Sequence, residues 1–165
     1  MKPVSKSEIQ RALVNVTKSE RAALGVPADF TDVQWPVLDF YGWRDPKFPQ
    51  RGYLVHRQQD TLVAIAVSTS GGGLAPGRKA MCGICHAVDN SRAVELFTAR
   101  RTGPAGRAGN TVGTYICAGL DCSMQLRDPT NKVGRSRLDT DQDLDVIAAK
   151  MLSRLNAFLD TVRTN

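Results

Sequence analysis

Only two of the 165 residues are histidine, and acidic side chains are outnumbered by basic ones, 16 to 22. No apolar run approaches the roughly 20 residues of a membrane span. The opening stretch, MKPVSKSEIQRALVNV, lacks the apolar core and small-residue cleavage site of a secretory signal. These absences predict a cytoplasmic chain with no membrane partner, in a reducing compartment where structural disulfides are rare. There is no internal repeat. The glycine-rich stretch GPAGRAGNTVG at 103–113 lacks the G-x-x-x-x-G-K-[ST] spacing of a phosphate loop, and reads as a mobile hairpin tip or a close-packed turn. Asp121 and Ser123 are present, but no Ser-His-Asp set or paired acid/base constellation accompanies them, so the chain is not expected to be an enzyme.

The chain has enough of what makes a globular domain. Hydrophobic residues make up 42%, which supports a core. The net charge of +6 and pI of about 9.4 favour anionic partners, either nucleic acid or an acidic protein face, unless the excess is simply a solvated basic surface.

Residues 5–24 read as two short helices. Ser5-x-x-Glu8 and Thr17-x-x-Glu20 each fit a capping box, Gly25 and Pro27 stop the second helix, and Ile9, Leu13 and Val16 have the spacing of one helix face. Between 30 and 50, Phe30, Trp35, Phe40, Tyr41, Trp43 and Phe48 alternate with prolines, which predicts irregular chain pinned by aromatic core anchors. Residues 52–56 and 61–69 read as a hairpin, 70–79 as a glycine-rich linker or hinge, and 127–137 as a polar loop. Leu144, Ala148, Met151, Leu155, Phe158 and Val162 form a helical stripe widened by Ile147, Leu152 and Leu159. Asp141, Asp143 and Asp145 precede Lys150, Arg154 and Arg163 along it, as the helix dipole favours. Such a stripe more often packs on a core than on a partner helix.

All four cysteines follow the linker, in the pattern C-x2-C-x31-C-x4-C at Cys82, Cys85, Cys117 and Cys122. As a bare string, Cys82-Gly83-Ile84-Cys85-His86 also matches a c-type haem attachment signature or a redox dithiol. Haem would leave Cys117 and Cys122 unexplained and needs an export route. A thioredoxin-like site needs a βαβ context, whereas here a linker precedes the motif and a hairpin follows it. Two close pairs suit one tetrahedral Zn2+ with four sulfur ligands, a closed and therefore structural site. The order of turn, strands over AVELFTARR and NTVGTYI, and a helix start at CAGLDCSMQLR is that of a treble clef. His86 is expected to tune the site or face a partner without binding zinc, and His56 to be structural or exposed.

Around the cysteines stand Arg78, Lys79, Arg92, Arg100, Arg101, Arg107, Arg127, Lys132, Arg135 and Arg137, while Glu95 is the only acidic residue between Asp89 and Asp121. The basic excess thus concentrates near the finger, as in a docking surface for RNA, DNA or an acidic protein.

Over C-x2-C at 82 and 85, LF-x-A-x-R-x-G at 96–103, GNTVGTYIC at 109–117 and C-x4-C at 117 and 122, the chain resembles the elongation factor G-binding proteins of the fusidic-acid-resistance type. The likeness is to their C-terminal treble-clef zinc-binding domain. It is strongest over about 78–130 and continues more weakly upstream through LDFYGWRDPKFPQRGYLV. It implies a four-cysteine zinc site, a cytoplasmic location, and contact with elongation factor G, or another translational GTPase, that helps release the factor trapped on the ribosome by fusidic acid. The competing partner is ribosomal RNA. Arg100, Arg101, Arg107, Asn110 and Tyr115 are the candidate contact residues, and Tyr115 fits a core position equally well. The expected fold is α+β: a treble-clef finger with β-hairpins, short N-terminal helices and a long C-terminal amphipathic helix. Residues 1–75 form the N-terminal helical and hairpin region and 76–165 the finger with its helix, as two regions or one compact domain.

Overall fold

The computed structural model describes residues 1–71, 80–87, 93–128 and 144–164. Most of the 70–79 linker, the 127–137 loop beyond Asp128, and Arg78, Lys79, Arg92, Lys132, Arg135, Arg137, Asp141 and Asp143 lie outside them.

Two helices open the chain, α1 (Lys6–Ala12) and α2 (Lys18–Ala22), and both capping boxes form. Ser5 N donates to Glu8 at 2.8 Å and Thr17 N to Glu20 at 2.8 Å, which satisfies backbone donors that a helix start leaves free. Ile9 points into the core, Leu13 caps α1, and Val16 lies beyond the helix.

Strands β1 (Tyr41–Arg44), β2 (Arg51–Gln58), β3 (Thr61–Ser68), β4 (Val94–Arg100) and β5 (Thr111–Cys117) form one antiparallel sheet in chain order. The stretch 30–50 is more regular than its prolines imply. Two 3-10 turns at Phe30–Asp32 and Trp35–Val37 lead into β1, whose four residues pair with β2 from Tyr41↔Val55 to Arg44↔Gly52. The β2–β3 hairpin turns through Gln59 and Asp60, with Gln59 at φ 53°. The tip of the β4–β5 hairpin is a one-turn helix, α3 (Gly103–Arg107), with Pro104 in its first turn, where a missing N–H costs nothing. α4 (Cys122–Arg127) follows β5, and α5 (Leu144–Arg163) closes the fold.

Alternation along β2 and β3 divides the core into two layers. Leu54, Val63, Ile65 and Val67 face Phe97, Ala99 and Ile116 of the second hairpin, and Met151, Leu155, Phe158, Leu159 and Val162 of α5. Tyr53, Val55 and Ala64 face the other way, onto Ile9, Leu13, Leu24, Trp35, Tyr41 and Trp43. The α5 stripe is therefore core packing, with Leu144, Ile147 and Leu152 at its half-buried margin. Among the described residues no helix is long and apolar enough to cross a membrane.

The N-terminal layer covers β1–β3 and stops at the seam with β4, where Ser68↔Thr98 is the one register pair between β3 and β4 among the described residues. Beyond that seam no described residue covers the outer face of the second hairpin: Leu96, 47% exposed, stands opposite Tyr115, 39% exposed.

Candidate metal centre

The first cysteine pair sits in a tight turn just before the second hairpin. Backbone N–H groups of Ile84 and Cys85 point at Cys82 Sγ, both at 3.4 Å, and His86 N donates to Cys82 O at 2.9 Å. Such N–H···S bonds stabilise a thiolate. His86 closes the turn at φ +58°, a left-handed conformation, and its side chain is exposed. Gly83 N donates to Tyr115 O at 2.7 Å, which fastens the turn to β5. A Cβ at Gly83 would lie 2.5 Å from Thr114 Oγ1, so only glycine allows this approach.

The second pair is placed by the end of β5 and the start of α4. Cys117 is the last residue of β5 and Cys122 the first of α4. Between them Leu120, fully buried at φ +59°, plugs a hollow over Gly42 and Gly52. Its carbonyl would be 2.3 Å from a Cβ at Gly42. The ligand loop is thus seated on the N-terminal hairpin by two missing side chains, a role the sequence gives no local sign of.

These elements bring all four Sγ atoms within 4.8 Å of one another. Cys85 and Cys117 are 3.6 Å apart and Cys82 and Cys122 3.7 Å, far longer than a disulfide bond of about 2.05 Å. A tetrahedron with Zn–S bonds of about 2.3 Å has edges of about 3.8 Å, so the thiols are already spaced for one ion. Hydrogen bonding, chiefly from Cys117, holds the Cys82 thiol well below its ordinary value, while the bond with Cys117 pushes Cys122 well above it. Four thiolates cannot share so small a volume without a cation to neutralise them. The donor set fits a single structural Zn2+, held by Cys82, Cys85, Cys117 and Cys122.

Polar contacts lock the centre to the rest of the molecule. Ser123, 1% exposed, accepts from Asp39 N at 2.8 Å. Arg127 bridges Asp39 at 2.7 Å and Asp145 at 3.0 Å, tying α4 to the chain before β1 and to α5. The Asp39 hydrogen bond raises the Arg127 pKa further. From α5, Arg154 donates to Ile84 O at 3.1 Å. His56 is structural: it is buried, its Nδ1 meets Asp39 O at 3.0 Å, and burial lowers its pKa.

The five candidate contact residues do not form one cluster. Tyr115 lies beside the metal turn, on the solvent side of the sheet. Arg100, Arg101, Arg107 and Asn110 gather at the opposite end of the hairpin, since Val94↔Cys117 is the metal end of the register and Arg100↔Thr111 the tip. Arg107 and Asn110 have exposed side chains. Arg101 is engaged internally, donating to Thr161 O at 3.0 Å and Thr164 O at 3.2 Å at the C-terminus of α5. Glu95 is paired too, with Arg44 at 2.8 Å, and Arg44 also covers the Phe97 ring. Exposed Met81, Leu96 and Met124 were missed by sequence reasoning. Strand alternation identifies Leu96, which must face away from the buried Phe97.

No curated protein and no solved structure matches the chain significantly. A family profile does, over residues 8–162, reaching well beyond the 78–130 segment that carries the motifs and taking in the N-terminal helices and most of α5. The match and the thiol geometry lead to the same conclusion: the chain belongs to the FBP C-terminal treble-clef zinc-finger family.

Proposed function

We propose that the protein is a non-enzymatic cytoplasmic docking factor that binds elongation factor G, or a related translational GTPase, and favours its release from the ribosome. The observation that carries this reading is the outer face of the β4–β5 hairpin, which no described residue covers. Leu96 and Tyr115 form an exposed cross-strand pair beside the metal turn, on a hairpin whose inner face is fully packed. An aromatic and an aliphatic side chain on a rigid, metal-held support make an interface anchor of low entropy cost. Arg100, Arg107 and Asn110 extend the surface toward the tip as polar rim, and Arg101 supports it from beneath.

Docking alone does no chemistry. Release follows only if the factor's departing conformation is bound more tightly than its ribosome-held one. Relief of fusidic-acid trapping would be the same effect on a drug-held complex. The test is binding of the zinc-loaded chain to purified elongation factor G, with and without Tyr115→Ala. Saturable binding weakened by the variant is expected; absence of binding by the wild-type chain overturns the reading. The net charge of +6 favours a second reading, ribosomal RNA. RNA binding that falls steeply with salt, without factor binding, would establish that one instead.

A further inference from the structure

Where the N-terminal layer ends, β3 and β4 part around a small cleft of about 60 Å³, lined among others by Asn15, Glu20, Arg51, Ser68, Thr98 and Arg100. The register explains why these residues meet. Arg51 is opposite Ser68, Ser68 is opposite Thr98, and Arg100 is the next residue of β4 on that face. Two guanidinium groups, one from each hairpin, therefore reach one cleft at the seam.

The walls are already satisfied. The Asn15 side chain donates to Ala66 O at 2.8 Å and Arg100 O at 3.1 Å, and accepts from Ala66 N at 2.8 Å. It fills the backbone bonding positions at the gap and fixes the cleft's shape. Thr98 Oγ1 donates to Ser68 O at 3.2 Å. The guanidiniums are in a different state. Arg100 lies 3.6 Å from Glu20 Oε2, an ion pair too long for a hydrogen bond, and Glu20 Oε2 also accepts from Thr17 N at 2.8 Å. Arg51 stacks over the Phe48 ring at 5.7 Å and donates to the Tyr53 hydroxyl, and among the described residues it forms no ion pair. Among the described lining residues, Arg51 and Arg100 thus face one carboxylate, Glu20, which also caps α2.

We propose that this cleft is an anion pocket that takes a phosphate group, as the free ion or as the end of a small phosphate monoester, through Arg51 and Arg100. The volume is that of a few waters at about 10–15 Å³ each, enough for one tetrahedral oxyanion. Guanidinium forks arriving from two strands suit a group with several oxygens in different directions better than a planar carboxylate. Glu20 is the resident competitor. Its carboxylate is held below its ordinary pKa, first by the Thr17 backbone bond and then by Arg100 and Arg51, so it stays charged at neutral pH and keeps affinity modest. The pocket shares Arg100 with the rim of the proposed docking surface, but phosphate binding is read without the partner and stands or falls separately.

The experiment titrates inorganic phosphate, and separately glycerol phosphate, into the zinc-loaded full chain at constant ionic strength, following the arginine side-chain Nε–H signals by NMR. Saturating shifts confined to Arg51 and Arg100 are expected, with acetate at equal concentration producing none. Glu20→Gln should tighten binding several-fold, because glutamine keeps the capping bond while removing the competing charge. Arg100→Gln should abolish it; the Arg100 side chain is 45% exposed, so the fold survives the change. Saturation by phosphate but not by glycerol phosphate would restrict the pocket to the free ion. Linear shifts spread over all arginines, binding that persists in Arg100→Gln, or weaker binding in Glu20→Gln would overturn the proposal.

Discussion

On one face of β1–β3, Phe30, Trp35, Tyr41, Trp43 and Tyr53 pack ring against ring at centroid distances of 5.1 to 6.3 Å. On the other face lie mainly aliphatic side chains with Phe40, Phe97 and Phe158, α5 and four thiols. The aromatic layer spreads its stabilisation over many contacts, each removable at moderate cost. The metal layer adds one ion to its packed core, and that ion joins the turn to the ligand loop beyond the Gly83–Tyr115 backbone bond. Yet the layers share β2 and β3: Leu54 serves one and Tyr53 and Val55 the other. Failure of the metal layer should therefore reach the aromatic one, and the division of the chain at residue 75 should not be a boundary of stability.

The strongest test removes the ion. Chelation, or Cys117→Ser, should eliminate stoichiometric zinc and unfold the finger, since structural zinc contributes on the order of 10 kcal/mol of apparent binding energy. Both tryptophans lie in the aromatic layer, so their emission reports on the distant face. We expect emission and far-UV circular dichroism to change together. Native tryptophan emission after zinc loss would instead show two independent regions. Unchanged zinc content and melting curve in Cys117→Ser would remove the metal from the fold's energetics altogether.

The converse change is Trp43→Ala, which deletes a buried ring and its Nε1 bond to Gly25 O at 2.9 Å. It should cost about 3–5 kcal/mol. Zinc should still bind at one per chain, because the deletion thins one layer without touching a ligand. A variant that folds but has lost its zinc would reverse the order of dependence drawn above.

The joint between the layers is smaller in energy and more specific. Gly42→Ala places a Cβ 2.3 Å from Leu120 O and must displace the ligand loop. A loss of about 1–3 kcal/mol is expected, as for other overpacked sites. A melting temperature equal to that of the wild type would mean the loop is not seated on the hairpin. Smaller again is Ser5→Ala, which removes the exposed α1 cap without touching a metal ligand and should cost about 1 kcal/mol with no change in zinc affinity.

What could be read from the sequence follows the range of the interactions. The capping boxes, the hairpin at 51–68, each of the two ligand pairs and the α5 stripe depend on residues a few positions apart, and each is where its pattern places it. β1 was hidden because Tyr41–Arg44 is too short for alternation to register and prolines flank it. Its pairing comes from β2, not from its own propensity. α3 was hidden because Gly-Pro-Ala-Gly-Arg has the composition of a turn. The dispersal of the basic residues was beyond local reading altogether. Arg101 and Arg127 count toward a positive patch in the sequence, yet in the fold one caps α5 and the other bridges Asp39 and Asp145.

The smallest effect on stability distinguishes a surface built for packing from one left for contact. If the outer face of the second hairpin were merely uncovered, Tyr115→Ala would lose a little cross-strand contact with Leu96 and nothing else. Because the ring is exposed and the Tyr115 carbonyl, which holds Gly83, is unaffected by the substitution, the stability change should stay within about 0.5 kcal/mol. Zinc content should be unchanged. Partner binding should fall by more than tenfold, about 1.4 kcal/mol, as for an interface anchor. Leu96→Ala should show the same split to a lesser degree, aliphatic residues being weaker anchors than tyrosine. A Tyr115→Ala variant that melts far below the wild type would place the ring in the core after all. One that binds elongation factor G unchanged would move the contact surface off this hairpin face.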